Sequence, residues 1–143
     1  MIRILSVAAA IAVSATVVYA GADFIDQRQR AMKALANAAK APGAVLKGEA
    51  KFELDKVHSS LAVFKEQAAK LKDLWPDDSK DGETNALPAV WDKKSEFLAL
   101  FDKFEADVQT ASEKIKDEDS FKAEWPKVMS NCGGCHKQYR KPQ

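Results

Sequence analysis

Near the end of the chain stand Asn131-Cys132-Gly133-Gly134-Cys135-His136, the residues whose types and spacing carry the most specific chemistry in the sequence. They read C-x-x-C-H, the pattern by which a c-type haem is attached. Two thiols must reach the two vinyl groups on one porphyrin edge, so they must sit about one helical turn apart, and the next residue must bring an imidazole to the iron. On a helix Cys132 and Cys135 are i and i+3, and Cys132 and His136 are i and i+4, which gathers all three on one face. Gly133 and Gly134 are expected to let the porphyrin edge come close to the backbone.

Two other chemistries use the same residue types. A dithiol redox pair wants a strand before the motif and a helix after it, in a βαβ pattern that this sequence does not show. A structural zinc site wants four ligands, and beyond Cys132, Cys135 and His136 the chain offers only the distant His58. His58 sits at the border of an apolar helical stripe and is read as a partly exposed surface histidine rather than a second haem ligand.

With 143 residues the chain is long enough for one domain with a real core. The motif uses both cysteines, so no disulfide framework is left to hold the fold. Residues 1–20 read as a secretory signal peptide. Arg3 gives a positive start, Ile4 to Val18 is apolar and uncharged, and Val18-Tyr19-Ala20 offers small residues before a cleavage site. The apolar run is short for a membrane span, which argues against an uncleaved anchor. Cleavage after Ala20 leaves residues 21–143, with 21 basic and 21 acidic side chains. That balance gives no basic excess for nucleic acid or an anionic membrane surface, so neither is expected as a partner after signal cleavage. Export to a periplasm fits the motif, because c-type haem is attached on that side of the membrane.

Four helices must position the motif, and none of the chain shows sustained strand alternation. The first spans about Asp23 to Lys47, with Ile25, Arg28, Met32, Leu35 and Ala39 at spacings of three and four, and Pro42-Gly43 expected to kink or divide it. The second spans about Phe52 to Leu74 with its stripe from Leu54 to Leu71, and Trp75-Pro76 ends it. Asp77 to Ala86 reads as the one long loop. The third spans about Pro88 to Lys116, striped by Phe97, Phe101, Phe104 and Val108. The fourth begins near Ser120, after a polar turn offering capping side chains, and Pro126 is expected to disturb it locally. Stripes at three-four spacing belong to helices packed at shallow angles, so the fold class is all-α, an antiparallel four-helix bundle. Both cysteines fall in register with the last helix's stripe, which puts a covalently bound haem in the bundle interior.

An exported bundle with C-x-x-C-H on its last helix resembles the class II cytochromes c, the cytochrome c prime family. The resemblance covers essentially the whole of residues 21–143. It includes Arg28-Gln29-Arg30-Ala31-Met32-Lys33, Lys47-Gly48-Glu49, Leu87-Pro88-Ala89-Val90-Trp91 and Cys132-Gly133-Gly134-Cys135-His136-Lys137-Gln138-Tyr139-Arg140. It implies one covalent haem c with its iron, thioether links at Cys132 and Cys135, and His136 as proximal ligand. Arg140, four residues on, is implied beside the His136 ring. Met32 matches the position facing the distal side of the iron. Arg28, one turn earlier, matches a propionate-contacting arginine; otherwise it is one of many solvated arginines. In one branch of the family a methionine binds the iron, giving a six-coordinate low-spin haem suited to electron transfer; in the other the iron is five-coordinate and binds nitric oxide or carbon monoxide, and a methionine there merely packs. The spacing of Arg28 and Met32 looks more like the low-spin branch. The resemblance thus implies a periplasmic electron carrier exchanging single electrons with redox partner proteins, not an enzyme in its own right. Homodimerisation through the first two helices, common among relatives, is a further implication.

Overall fold

The computed structural model describes the backbone of residues 12–142 and the side chains of residues 21–142. The expected signal peptide, residues 1–20, and its cleavage site lie outside the residues so described in full. Six α-helices run in order: α1 (Ala12–Ala38), α2 (Lys40–Leu46), α3 (Leu54–Lys72), α4 (Ala89–Asp92), α5 (Lys94–Lys114) and α6 (Glu118–Tyr139), with a 3-10 turn at Asp77–Ser79. The long helices α1, α3, α5 and α6 form the expected all-α antiparallel bundle. Helix α3 packs on α1 and α5, and α5 packs on α6. Among the described residues α1 and α6 do not pack closely on each other, and a cavity lies between them. No described helix is long and apolar enough to cross a membrane.

The apolar stripes face inward as their spacing requires. Val57, Leu61, Phe64, Ala68 and Leu71 of α3 are buried, as are Phe97, Phe101, Phe104 and Val108 of α5, and Phe121, Trp125 and Val128 of α6. Each large side chain so removed from water contributes about 1.5–3 kcal/mol. The core divides into two clusters. One centres on Phe64, Phe104, Phe121 and Trp125; the other on Trp75, Phe97, Phe101 and Tyr139.

Four local features differ from the sequence reading or sharpen it. The first helix breaks at Ala39, three residues before Pro42. The proline ring crowds the carbonyl four residues back, on Ala38, where α1 ends. Gly43 N still donates to Ala39 O at 3.0 Å, so the break is slight. The expected stop follows, with Gly48 at φ 75° after the capping Lys47. The expected third helix is two pieces, α4 and α5, separated by Lys93 at φ −124° and ψ 42°. Pro126 does not interrupt α6, because Trp125 and Val128 beside it are buried in the core and hold the helix course.

Helix α6 starts with a capping box: Ser120 N donates to Asp117 Oδ1 at 2.8 Å, and the Ser120 hydroxyl accepts from Asp117 N at 3.1 Å. At its other end Leu87 N donates to Tyr139 O at 2.9 Å and Lys141 N to Asn85 O at 2.8 Å, tying the end of the motif helix to the loop before α4. Asp117→Ala removes the cap and is expected to cost about 1 kcal/mol. Urea unfolding of the mature protein checks this as a lower midpoint at constant slope; an unmoved midpoint contradicts it.

Candidate functional site

The cavity between α1 and α6 measures about 500 Å³ and is lined mainly by apolar atoms. That is the size range of small-molecule and cofactor sites. The motif helix supplies Asn131, Cys132, Cys135, His136, Tyr139 and Arg140 to its wall; α1 supplies Ile25, Arg28, Gln29, Met32 and Leu35. Phe97, Phe101 and Phe104 of α5 form the floor, all buried, with Phe97 edge-on to Phe101, Tyr139 and Trp75. All six residues singled out as a site, Arg28, Met32, Cys132, Cys135, His136 and Arg140, therefore meet at one cavity. Arg28 and Met32 come from α1 and the other four from α6 and its C-terminal end, on opposite walls that α3 and α5 hold apart.

Gly133 and Gly134 do not line the cavity. Both are exposed, and a Cβ added to either meets nothing within 4 Å. The helical spacing that turns Cys132, Cys135 and His136 inward turns the two residues between them outward, so close approach of a porphyrin on the cavity side is not what these glycines serve. His58 also stands away from the cavity. Its Nε2 lies 3.0 Å from Ile115 O, at the end of α5, in keeping with a half-buried structural histidine.

Arg28 is neither solvated nor aligned loosely with the cavity. It is 3% exposed. Its guanidinium donates to Leu74 O at 3.1 Å, to Ser79 Oγ at 2.9 Å and to Ser79 O at 2.8 Å, and it lies 4.5 Å from the Trp75 ring centroid. All these partners are neutral, and burial pulls its pKa down to about 10. A buried cation facing only carbonyls, a hydroxyl and aromatic rings is incompletely compensated. Beside it, the indole Nε1 of Trp75 is buried with no hydrogen-bond partner. This end of the cavity thus has cationic and donor groups and, among the described residues, no anionic acceptor on the guanidinium, while most of the remaining wall is apolar. A porphyrin, apolar except for two carboxylate arms, fits that division.

The motif residues fit the same group. Burial pushes the Cys132 thiol up, and pushes Cys135 up to about 11 with Cys132 adding to it. Such thiols lack the depressed pKa of a redox-active pair, which counts against the dithiol chemistry. His136 is lowered by burial and then by the charge of Arg140, which favours the neutral imidazole that a metal requires. No group of three or more His, Cys, Asp or Glu able to hold a metal ion by themselves exists among the described residues.

Two contacts at the site have no signature in the sequence. Ser79, the acceptor of Arg28, comes from a loop serine 51 positions away. Asn131, just before the first cysteine, donates to Asp107 Oδ2 at 2.7 Å across to α5, and Lys103 donates to the same oxygen at 2.6 Å. Lys103, then Asn131, hold the Asp107 carboxyl below its usual range. Only the Lys103–Asp107 spacing of four is visible along the chain.

Comparison with known proteins agrees with this geometry. The model of the cytochrome c' family matches residues 23–140. The chain is 40% identical to cytochrome c' of Rhodopseudomonas palustris, over 97% of this chain and 96% of that one. It is 32% identical to cytochrome c-556 of the same organism, over 98% and 97%. Among solved structures, Rhodopseudomonas palustris cytochrome c' superposes with a TM-score of 0.82 at 43% identity, covering 85% of this chain and 98% of that one. A structural model of oxidized cytochrome c556 from that organism gives 0.77 at 30%, again covering 85% and 98%.

Arg28→Leu strands the Ser79 and Leu74 acceptors and is expected to destabilise the protein by about 3 kcal/mol. Ser79→Ala, which removes one neutral acceptor, is expected to cost about 1 kcal/mol. Chemical denaturation measures both; equal and negligible costs contradict the buried arrangement.

Proposed function

The chain belongs to the cytochrome c' family, and on that premise we propose that it is a periplasmic electron carrier whose haem iron is held between His136 and Met32. Cytochromes c' and c-556 carry covalently attached haem c with its iron, so the chain is a c-type cytochrome. In the proposal residues 1–20 direct export and are removed, Cys132 and Cys135 form the thioethers, Arg28 stands at the polar end, and Arg140 stands beside the His136 ring. The observation that carries the reading is Met32: it lines, from α1, the same cavity that His136 lines from α6.

When bound, the haem would supply a one-electron couple, and His136 and Met32 as its ligands would raise the potential and leave no open site for a gas. The chain's own residues do the rest. His136, kept neutral by its surroundings, offers an imidazole lone pair. Met32 offers a polarisable thioether from the cavity-facing side of α1, beside Ile25 and Leu35. Phe97, Phe101 and Phe104 exclude water, so little solvent has to reorganise when charge arrives or leaves. Members of the c-556 branch are low-spin, in keeping with this ligation.

A second reading has its own support: identity is higher to a protein named cytochrome c' than to one named c-556. Met32 is then apolar filler, the iron is five-coordinate, and the protein binds nitric oxide or carbon monoxide. The optical spectrum of the purified holoprotein separates the two. Low-spin bands, a methionine-to-iron charge-transfer band and little carbon monoxide uptake at neutral pH are expected, and Met32→Ala is expected to turn the spectrum high-spin. A high-spin wild type with ready carbon monoxide uptake, or a spectrum unchanged by Met32→Ala, overturns the proposed ligation.

A further inference from the structure

We propose that the face formed by α1, α2 and the second half of α6 is an electrostatic docking surface for an acidic redox protein. The proposal rests on the electron-carrier reading above. Residues 27–48 contain five basic and no acidic side chains, and residues 125–143 contain four basic and none acidic. The rest of residues 21–143 contains 12 basic against 21 acidic side chains. The sequence alone shows two separate basic runs in a formally neutral chain. The fold brings them together, because α1 and α6 are the two walls of the cavity.

Most of the exposed lysines on this face lack a carboxylate partner, whereas most lysines elsewhere have one; Lys51, Lys65, Lys80 and Lys116 are the unpaired ones outside it. Arg28 is buried, and Arg30 and Lys127 are taken up by Asp26 and Glu124. Lys33, Lys40, Lys47, Lys137 and Lys141 are exposed, and among the described residues none of them makes an ion pair. On α3, α5 and the first half of α6, Lys56, Lys70, Lys72, Lys103 and Lys122 each have a carboxylate partner. Lys141 Nζ donates to the carbonyl of Thr84, which lines the cavity, at 2.8 Å; Lys33 and Lys137 do not line it but flank in sequence the cavity residues Met32 and His136 on its two wall helices. Lys40 and Lys47 border a shallow hollow that shares Ala36 and Ala39 with it. The acidic groups without an ion pair on or beside this face are Asp23 of α1, Glu49 in that hollow, and the loop residues Asp81 and Glu83. Four carboxylates against five unpaired lysines leave the face positive.

Charge laid out in this way does little for stability, since isolated exposed lysines form no compensating contact. It does steer an oppositely charged partner and orient it with the cavity side first. The partner that fits is a protein presenting a cluster of carboxylates around its own redox centre.

The test uses the holoprotein and small redox ions. One electron leaves the reduced holoprotein and converts hexacyanoferrate(III) to hexacyanoferrate(II). A neutral protein without a charged face gives a rate nearly independent of salt. Here the rate is expected to fall about tenfold as ionic strength rises from about 10 mM to about 300 mM, because screening shortens from roughly 30 Å to under 10 Å. With the cation tris(phenanthroline)cobalt(III) as oxidant the rate is expected to rise. The triple variant Lys33→Glu, Lys137→Glu, Lys141→Glu should reverse both slopes, and Lys51→Glu, Lys65→Glu, Lys116→Glu, with the same change in net charge, should leave their sign. Should a variant fail to load haem, paramagnetic broadening of wild-type amide signals by redox-inert hexacyanochromate(III) gives the same answer, centred on residues 33, 137 and 141 if the face is real and scattered if it is not. A low-spin holoprotein with no salt dependence, or two triple variants that behave alike, overturns the docking face alone. A high-spin, carbon-monoxide-binding holoprotein overturns the electron-carrier reading and the redox partner with it.

Discussion

Two helices of this bundle are held apart, and most of the structure follows from that separation. Helices α1 and α6 are joined through α3 and α5 rather than through each other. The space left between them, about 500 Å³, is lined by aromatic and aliphatic side chains. Apolar walls left facing water forgo the burial that stabilises a core, at about 25 cal/mol per Å². The chain is built around a large apolar occupant, and the covalent haem c of its family is that occupant. Folding and cofactor retention are therefore coupled, and the chain needs no disulfide to stay closed around the group.

Polar contacts hold the two walls in place at different points. At one, buried Arg28 of α1 grips the turn Asp77–Ser79 and the end of α3 through neutral acceptors. At another, Lys103, Asp107 and Asn131 link α5 to the turn of α6 that precedes Cys132. A third tie, between the loop at Asn85–Leu87 and Tyr139–Lys141, fixes the far end of the motif helix. The last two fix the axial height and rotation of α6, which sets where Cys132, Cys135 and His136 face. The arrangement at Arg28 is also asymmetric in charge. A buried guanidinium without a carboxylate partner among the described residues is tolerable where the cofactor brings its own carboxylates.

The parts legible in the sequence were those written in local spacing. The stripe from Val57 to Leu71, the stripe from Phe97 to Val108 and the C-x-x-C-H motif each repeat at three and four residues, so helix, inward face and haem chemistry follow from short-range geometry. Chain punctuation was legible to within a few residues: Gly48 stops α2, and Asp117 starts α6. The break at Lys93 was not, since no proline or glycine marks it. Nor was the environment of Arg28, because Ser79 is brought to it only by the turn after α3. The place of the motif's glycines was not legible either, because helical rotation, which gathers the cysteines and histidine, carries the intervening residues to the opposite side. The basic runs on α1 and α6 were visible as counts, but their common face exists only in the folded bundle.

The claim on which the rest depends is that the last helix carries a haem covalently at its two cysteines. Mass spectrometry of the exported protein tests it most directly, first on the intact chain and then on the proteolytic peptide containing Cys132 to His136. The account predicts one haem mass added to a chain beginning at Gly21, retained on that peptide after denaturation and removal of free haem. A peptide of unmodified mass with two free thiols, from protein made in cells able to attach c-type haem, would contradict it.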